Sequence, residues 1–121
     1  MREQTIQRDV IKALRSLPDV LVYDTSHVGQ VRLMSGRVTD LNQMRGQSDL
    51  LVLVAMDAGP VAYAIELKTK RGRQSPHQVK WQKNVWERRF NSGYHVCRSV
   101  DEVMVAIDKE EEWNERRKMY E

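Results

Sequence analysis

Two apolar runs that flank a tight turn, with acids at their open end, constrain this chain more than anything else in it. Leu50, Leu51, Val52, Leu53, Val54 and Ala55 follow Asp49, Asp57-Ala58-Gly59-Pro60 is turn chemistry, and residues 61–68 return the chain. Such a pattern specifies a β-hairpin. The start of one strand then lies beside the end of the next, so Asp49 meets Glu66 and Lys68. Side chains alternate along a strand. Ala62, Ala64, Glu66 and Lys68 therefore share one face, and Val61, Tyr63, Ile65 and Leu67 the apolar other. Two carboxylates and an ammonium converging on an apolar sheet are costly to desolvate. A site that holds a divalent metal and acts on phosphate justifies that cost.

The remainder of the chain frames the hairpin. Its 121 residues, 40% hydrophobic and 31% charged, are expected to form one folded domain with a modest core. Ile6, Val10, Ala13, Leu14 and Leu17 make one stripe of a predicted helix over 2–17, which Pro18-Asp19 ends. Residues 20–23 read as a short strand. Residues 24–48 fit a small hairpin around Ser35-Gly36 or an irregular loop. After a basic loop over 69–74, Ser75-Pro76-His77-Gln78 reads as a capping box opening a helix to about Phe90, and Asn91-Ser92-Gly93 stops it. On a regular wheel Gln78, Trp81 and Val85 form one apolar face and Val79, Trp86 and Phe90 another. Residues 94–98 read as a strand. Ser99-Val100-Asp101-Glu102 is a second capping box, and the last helix packs Val100, Val103, Met104 and Ile107. It then becomes charged, with Trp113 and Tyr120 on a different face that suggests a partner or another subunit. The expected fold class is α/β, in the order α-β-β-β-α-β-α, with 108–121 as a charged helical extension.

Charge and composition narrow the function. The net charge is only +3, but between Lys68 and Arg89 eight Lys or Arg stand against one acid, Glu87, while from Asp101 to Glu121 eight acids face four bases. A basic middle with an acidic tail suggests that one face meets a polyanion. The only cysteine, Cys97, rules out an intrachain disulfide or a cysteine metal cage, and reads as a small apolar filler on a strand. His27, His77 and His95 have no ligand spacing. There is no Gly-rich phosphate loop, serine elbow or His-x-x-x-His helix, so kinase, serine hydrolase and zinc-protease readings have no support. The apolar runs are too short to cross a bilayer and the start carries no signal segment, so the expectation is an intracellular protein without a membrane partner.

The residue types at the hairpin suit hard-metal chemistry. Mg²⁺ or Mn²⁺ prefers oxygen ligands and retains water. Asp49 and Glu66 offer carboxylates, and the backbone carbonyl of Leu67 a third oxygen. Such an ion polarises a phosphate and acidifies water, and Lys68 is placed to orient that water or balance developing charge. Glu3 lies in phase with the Ile6–Val10–Leu14 stripe and either faces the sheet or serves the helix dipole. Gln78 either reaches a water or phosphate or only completes its cap. Lys70, Arg71, Arg73, Lys80 and Lys83 are candidates for nucleic-acid backbone contacts.

The ordered set resembles a known family. Glu3 and Ile6-Gln7 open a helix, Gly46-Gln47-Ser48-Asp49 leads a strand, Ile65-Glu66-Leu67-Lys68 ends the next, and Gly72-Arg73-Gln74-Ser75-Pro76-His77-Gln78 enters a helix carrying Trp81. From about residue 3 to 106 this resembles the virus-type replication-repair nuclease (VRR-NUC) family of the PD-(D/E)xK superfamily. The resemblance implies a restriction-endonuclease-like mixed sheet flanked by helices and Mg²⁺- or Mn²⁺-dependent cleavage of DNA. It implies metal binding by Asp49, Glu66 and Glu3, a catalytic Lys68, and Gln78 completing the site. It also implies a homodimer that cuts branched DNA, including four-way (Holliday) junctions, in the cytoplasm of a bacterium or of a phage's bacterial host. The acidic extension after Ile107 departs from the family pattern. A non-catalytic DNA-binding or assembly module of the same fold, and an RNA-processing nuclease, are the alternatives; only the resemblance selects DNA over RNA.

Overall fold

The structure, a computed structural model, describes residues 2–25, 30–32, 34–36, 38–40 and 47–119. Helix α1 (Glu3–Arg15) buries the expected stripe of Ile6, Val10, Ala13 and Leu14. It closes slightly earlier than the stripe alone suggests. The hydroxyl and the N–H of Ser16 both bond back to the Ala13 carbonyl, just ahead of Pro18, which has no N–H to give.

Strand β1 (Val20–Asp24) follows, then β2 (Gln30–Arg32) and β3 (Val38–Asp40), which pair antiparallel as a separate two-stranded sheet among the described residues. Of the two readings of the 24–48 segment, the hairpin is the one that forms. Gly46 lies outside the described residues. Strands β4 (Leu50–Met56) and β5 (Gly59–Leu67) make the central hairpin, with Gly59 at φ +125° just after its turn. Helix α2 spans residues 76–90 and leads to β6 (Tyr94–Cys97). The main sheet has the order β1-β4-β5-β6; β1 and β5 flank β4 antiparallel, and β6 joins β5 parallel. It is the expected mixed sheet flanked by helices.

Helix α3 (Val100–Ala106) begins where Ser99 Oγ accepts the Glu102 N–H, one half of the expected box. The long final helix expected from the sequence is instead two. Asp108 takes φ +59°, Lys109 N–H bonds the Met104 carbonyl at 2.8 Å, and α4 (Glu110–Lys118) sets off in a new direction. The turn overturns one expectation. Trp113 packs against the main core and needs no second chain to cover it. Tyr120 lies outside the described residues. Among those residues no helix is long and apolar enough to cross a membrane.

The two faces of the sheet are covered unequally. Val52, Val54, Ile65, Leu67 and Cys97 bury one face against α1 and α3, through Ile6, Val10, Leu14, Val103, Met104 and Ile107. Each large side chain buried this way contributes roughly 1.5–3 kcal/mol. On the other face, Ala62 and Ala64 are small enough to admit α2, whose Trp81 and Trp86 are 7% and 5% exposed. A wheel places these two tryptophans on different faces, because positions five apart in an α-helix diverge by about 140°. The chain resolves this with a π-turn over Gln82–Trp86, where the Glu87 N–H bonds the Gln82 carbonyl five residues back. The wider turn rotates Trp86 beneath Trp81, with ring centroids 6.2 Å apart. The helix thus has one buried face where two were expected. Gly93 then returns the chain with φ +91°; a Cβ there would meet the Ala62 carbonyl at 2.9 Å, so only glycine lets β6 approach β5.

Candidate functional site

The hairpin register sets the site. The paired run ends at Leu50 opposite Ile65, so the next step puts Asp49 opposite Glu66. Asp49 is fixed through its backbone and its side chain. Its carbonyl accepts the Thr25 N–H at 3.0 Å, and its Oδ2 accepts the Leu67 N–H at 2.7 Å. Ser48 before it is buried, bonding the Leu50 carbonyl through Oγ, and the Thr25 hydroxyl donates to its carbonyl. The Asp49 carboxyl is pushed up to about 6, mainly by burial. The Leu67 N–H opposes that rise; the charges of Glu3 and Glu66 add to it, and Lys68 lowers it. Those influences bring the charges of Glu3, Glu66 and Lys68 within electrostatic reach of one carboxyl, and Glu3 is half-buried at the start of α1.

Glu66 is 0% exposed in the middle of its alternating face. Its Oε1 accepts two hydrogen bonds, one from the Tyr94 hydroxyl and one from Gln74 Nε2 at 3.2 Å. Its Oε2 is buried without a hydrogen-bond partner among the described residues. Burial and the bond to Glu66 push the Tyr94 phenol well above its ordinary range, so it is a permanent donor. Lys68 follows the end of β5 and is half-buried, with its N–H continuing the ladder to the Cys97 carbonyl at 3.0 Å.

Gln78 sits elsewhere in this arrangement. Its Oε1 accepts the Ser75 N–H at 2.8 Å while Ser75 Oγ accepts the Gln78 N–H, which is the capping box the sequence spells. The amides that do reach the acid are Gln74 and, behind it, Gln82, whose Oε1 accepts from Gln74 Nε2 at 2.9 Å. Neither these two nor Tyr94 was legible as a site residue. The signal available was alternation in β6, which puts Tyr94 on the Ala64–Glu66 face once a parallel pairing to β5 is known.

The basic candidates Lys70, Arg71, Arg73, Lys80 and Lys83 are all exposed, and none forms an ion pair with a described residue. Three of them belong to the loop after Lys68, which Arg98 clamps from just past β6. Its Nη1 donates to the carbonyls of Thr69 at 2.5 Å, Gly72 at 2.7 Å and Lys70 at 3.4 Å. Lys70, Arg71, Arg73 and Arg98 line a basic cleft of about 720 Å³ beside Gln74.

Among the described residues, no three carboxylate, imidazole or thiol groups converge closely enough to make a metal site unaided. The pair Asp49 and Glu66 nonetheless fits a hard divalent cation. Mg²⁺ is commonly held by one or two carboxylates, waters and substrate phosphate. An unpartnered buried carboxylate oxygen is the kind of atom such an ion satisfies.

Comparison with known proteins agrees with this architecture. No protein-family model matches the chain, and no curated protein sequence matches it. A solved VRR_NUC domain structure superimposes with a TM-score of 0.56 at 23% identity, over 88% of this chain and 94% of that one. The chain has the fold of a VRR_NUC domain, the restriction-endonuclease-like arrangement expected from its motifs.

Proposed function

We propose that this protein is a Mg²⁺- or Mn²⁺-dependent nuclease that hydrolyses phosphodiester bonds in branched DNA, and that it works as a homodimer. Glu66 carries the reading. It is a wholly buried carboxylate with one unpartnered oxygen, opposite an Asp49 whose carboxyl is pushed up to about 6 by burial and neighbouring acids. Acids confined together out of water destabilise a fold unless a cation joins them. Asp49 and Glu66 would hold the ion directly in this reading, with the Leu67 carbonyl as a further oxygen donor and Glu3 reaching the ion through a bound water. When bound, such an ion supplies Lewis acidity toward a phosphodiester and a more acidic water.

The protein's own groups do the remainder. Lys68, whose charge acts on Asp49, would orient the attacking water and offset the charge that builds on the phosphate oxygens. Gln78 contributes its amide nitrogen, which the cap leaves over, as a donor toward phosphate. Lys70, Arg71, Arg73, Lys80 and Lys83 grip the sugar–phosphate backbone, giving affinity without sequence choice. For the second subunit, Leu21 and Tyr23 on β1 offer apolar surface, 60% and 51% exposed on the same sheet face.

A labelled four-way junction, set beside flaps, forks, linear duplex and a matched RNA fork, tests the reading in Mn²⁺. The expected outcome is metal-dependent cutting of branched DNA. Lys68→Ala should lower kcat roughly 10²–10³-fold, as loss of a transition-state donor does, and Asp49→Ala should abolish cutting while binding survives. Binding that ignores a chelator, with no product at high protein concentration, would instead mark a non-catalytic module. Gel filtration decides the dimer.

A further inference from the structure

The two oxygens of Glu66 are treated oppositely by the fold. Oε1 takes both the Tyr94 hydroxyl and the Gln74 amide, which uses its lone pairs on the protein. Oε2 is equally buried and takes no hydrogen bond from a described residue. A cation would satisfy it. The donors are also locked in direction. Gln74 Nε2 lies between two acceptors, Glu66 Oε1 and Gln82 Oε1, so flipping the amide would set oxygen against oxygen at both ends. Gln82 is oriented in turn by donating from Nε2 to Glu87 Oε1 at 3.0 Å. The chain of amides starts in the π-turn of α2 and ends on the acid, while Tyr94 comes from β6 on the neighbouring strand. Two independent elements thus aim one carboxylate.

We propose that Tyr94 and Gln74 are positioning residues that occupy Oε1 of Glu66 and so reserve Oε2 as a single-oxygen ligand for the divalent cation. The proposal rests on the metal-dependent nuclease reading and names residues that reading does not use. Removing a group that orients a metal ligand commonly weakens metal affinity about 10–100-fold.

The test is Mn²⁺ titration calorimetry on the full chain, comparing wild type, Tyr94→Phe, Gln74→Met and Glu66→Gln, with thermal melts in chelator alongside. Tyr94→Phe and Gln74→Met should each weaken Mn²⁺ binding about 10–100-fold, and Glu66→Gln should bind more weakly still. A purely structural role for the pair would lower the metal-free melting temperature and leave Mn²⁺ affinity at the wild-type value; that result overturns the proposal. If Tyr94→Phe does not fold, Gln74→Met on the loop carries the same test. Mn²⁺ uptake lost in Glu66→Gln but intact in both positioning variants sinks the positioning alone. A wild type that takes up no Mn²⁺, or a Glu66→Gln variant that matches it, sinks the nuclease reading and this proposal with it.

Discussion

Burial raises the Asp49 carboxyl from 3.8 to about 6, and the charges of Glu3 and Glu66 push the same way, against the Leu67 N–H and Lys68. The folded state therefore holds the Asp49 proton more tightly than the unfolded chain does. The stability this confers is fully present below about pH 4 and is lost as pH rises through about 6. Measured in chelator, wild-type stability should carry a component that falls over that window, on the order of 1–3 kcal/mol. Asp49→Asn should remove that component and leave the metal-free protein more stable near neutrality while abolishing cleavage. Urea titrations at a series of pH values check it; an unchanged profile in the variant contradicts the assignment. Cys97 poses the simpler residue-scale case. Burial, with Glu102 adding to it, pushes its thiol up to about 12, and it packs in the main core as the sequence suggested. A maleimide should label it only at the rate of global opening, rising sharply in denaturant.

The loop over 68–74 owes its shape to an element distant in sequence. Arg98, one residue past β6, ties three of its carbonyls together, so the three bases Lys70, Arg71 and Arg73 project from a fixed rim. Arg98→Ala should loosen DNA binding by freeing the loop, and should weaken Mn²⁺ binding less than Gln74→Met does, since Gln74 is also held by Gln82. Replacing Lys70, Arg71 and Arg73 by alanine should act differently. The slope of log K against log salt should fall by about 0.9 for each duplex phosphate deprived of its basic partner, alike for every sequence. Binding isotherms at several salt concentrations separate the two. The capping box at Ser75 was legible residue by residue because caps are local. The π-turn was not, because the sequence shows only Trp81 and Trp86 five apart. The choice to widen the turn belongs to the packing of both rings over Ala64.

At the scale of the whole chain, what was readable followed from pattern and what was not followed from long-range pairing. Alternation in residues 61–68 assigned each side chain of β5 to its face, and turn chemistry put Asp49 opposite Glu66, where the register has it. No local signal states that β6 runs parallel to β5, and without that pairing Tyr94 has no reason to touch Glu66. The C-terminal segment misled for a related reason. Its acids and its off-stripe Trp113 look like an appendage with an interface, because a wheel assumes one continuous helix. Asp108 breaks that assumption with φ +59° and sends α4 back over the core. Lys109 then lies 3.8 Å from Asp19 and 3.2 Å from Glu112, and Arg117 3.0 Å from Asp101, so the tail is tied both to the turn before β1 and to α3. These surface pairs add little by themselves; the half-buried indole is what closes the molecule. Trp113→Ala should cost roughly 2 kcal/mol, less than a fully buried tryptophan, and lower Tm by roughly 5–10 °C. If Trp113 instead anchored a second subunit, the same variant would shift the gel-filtration volume and make the change in Tm depend on protein concentration. The fold calls for an unchanged elution volume and a concentration-independent loss.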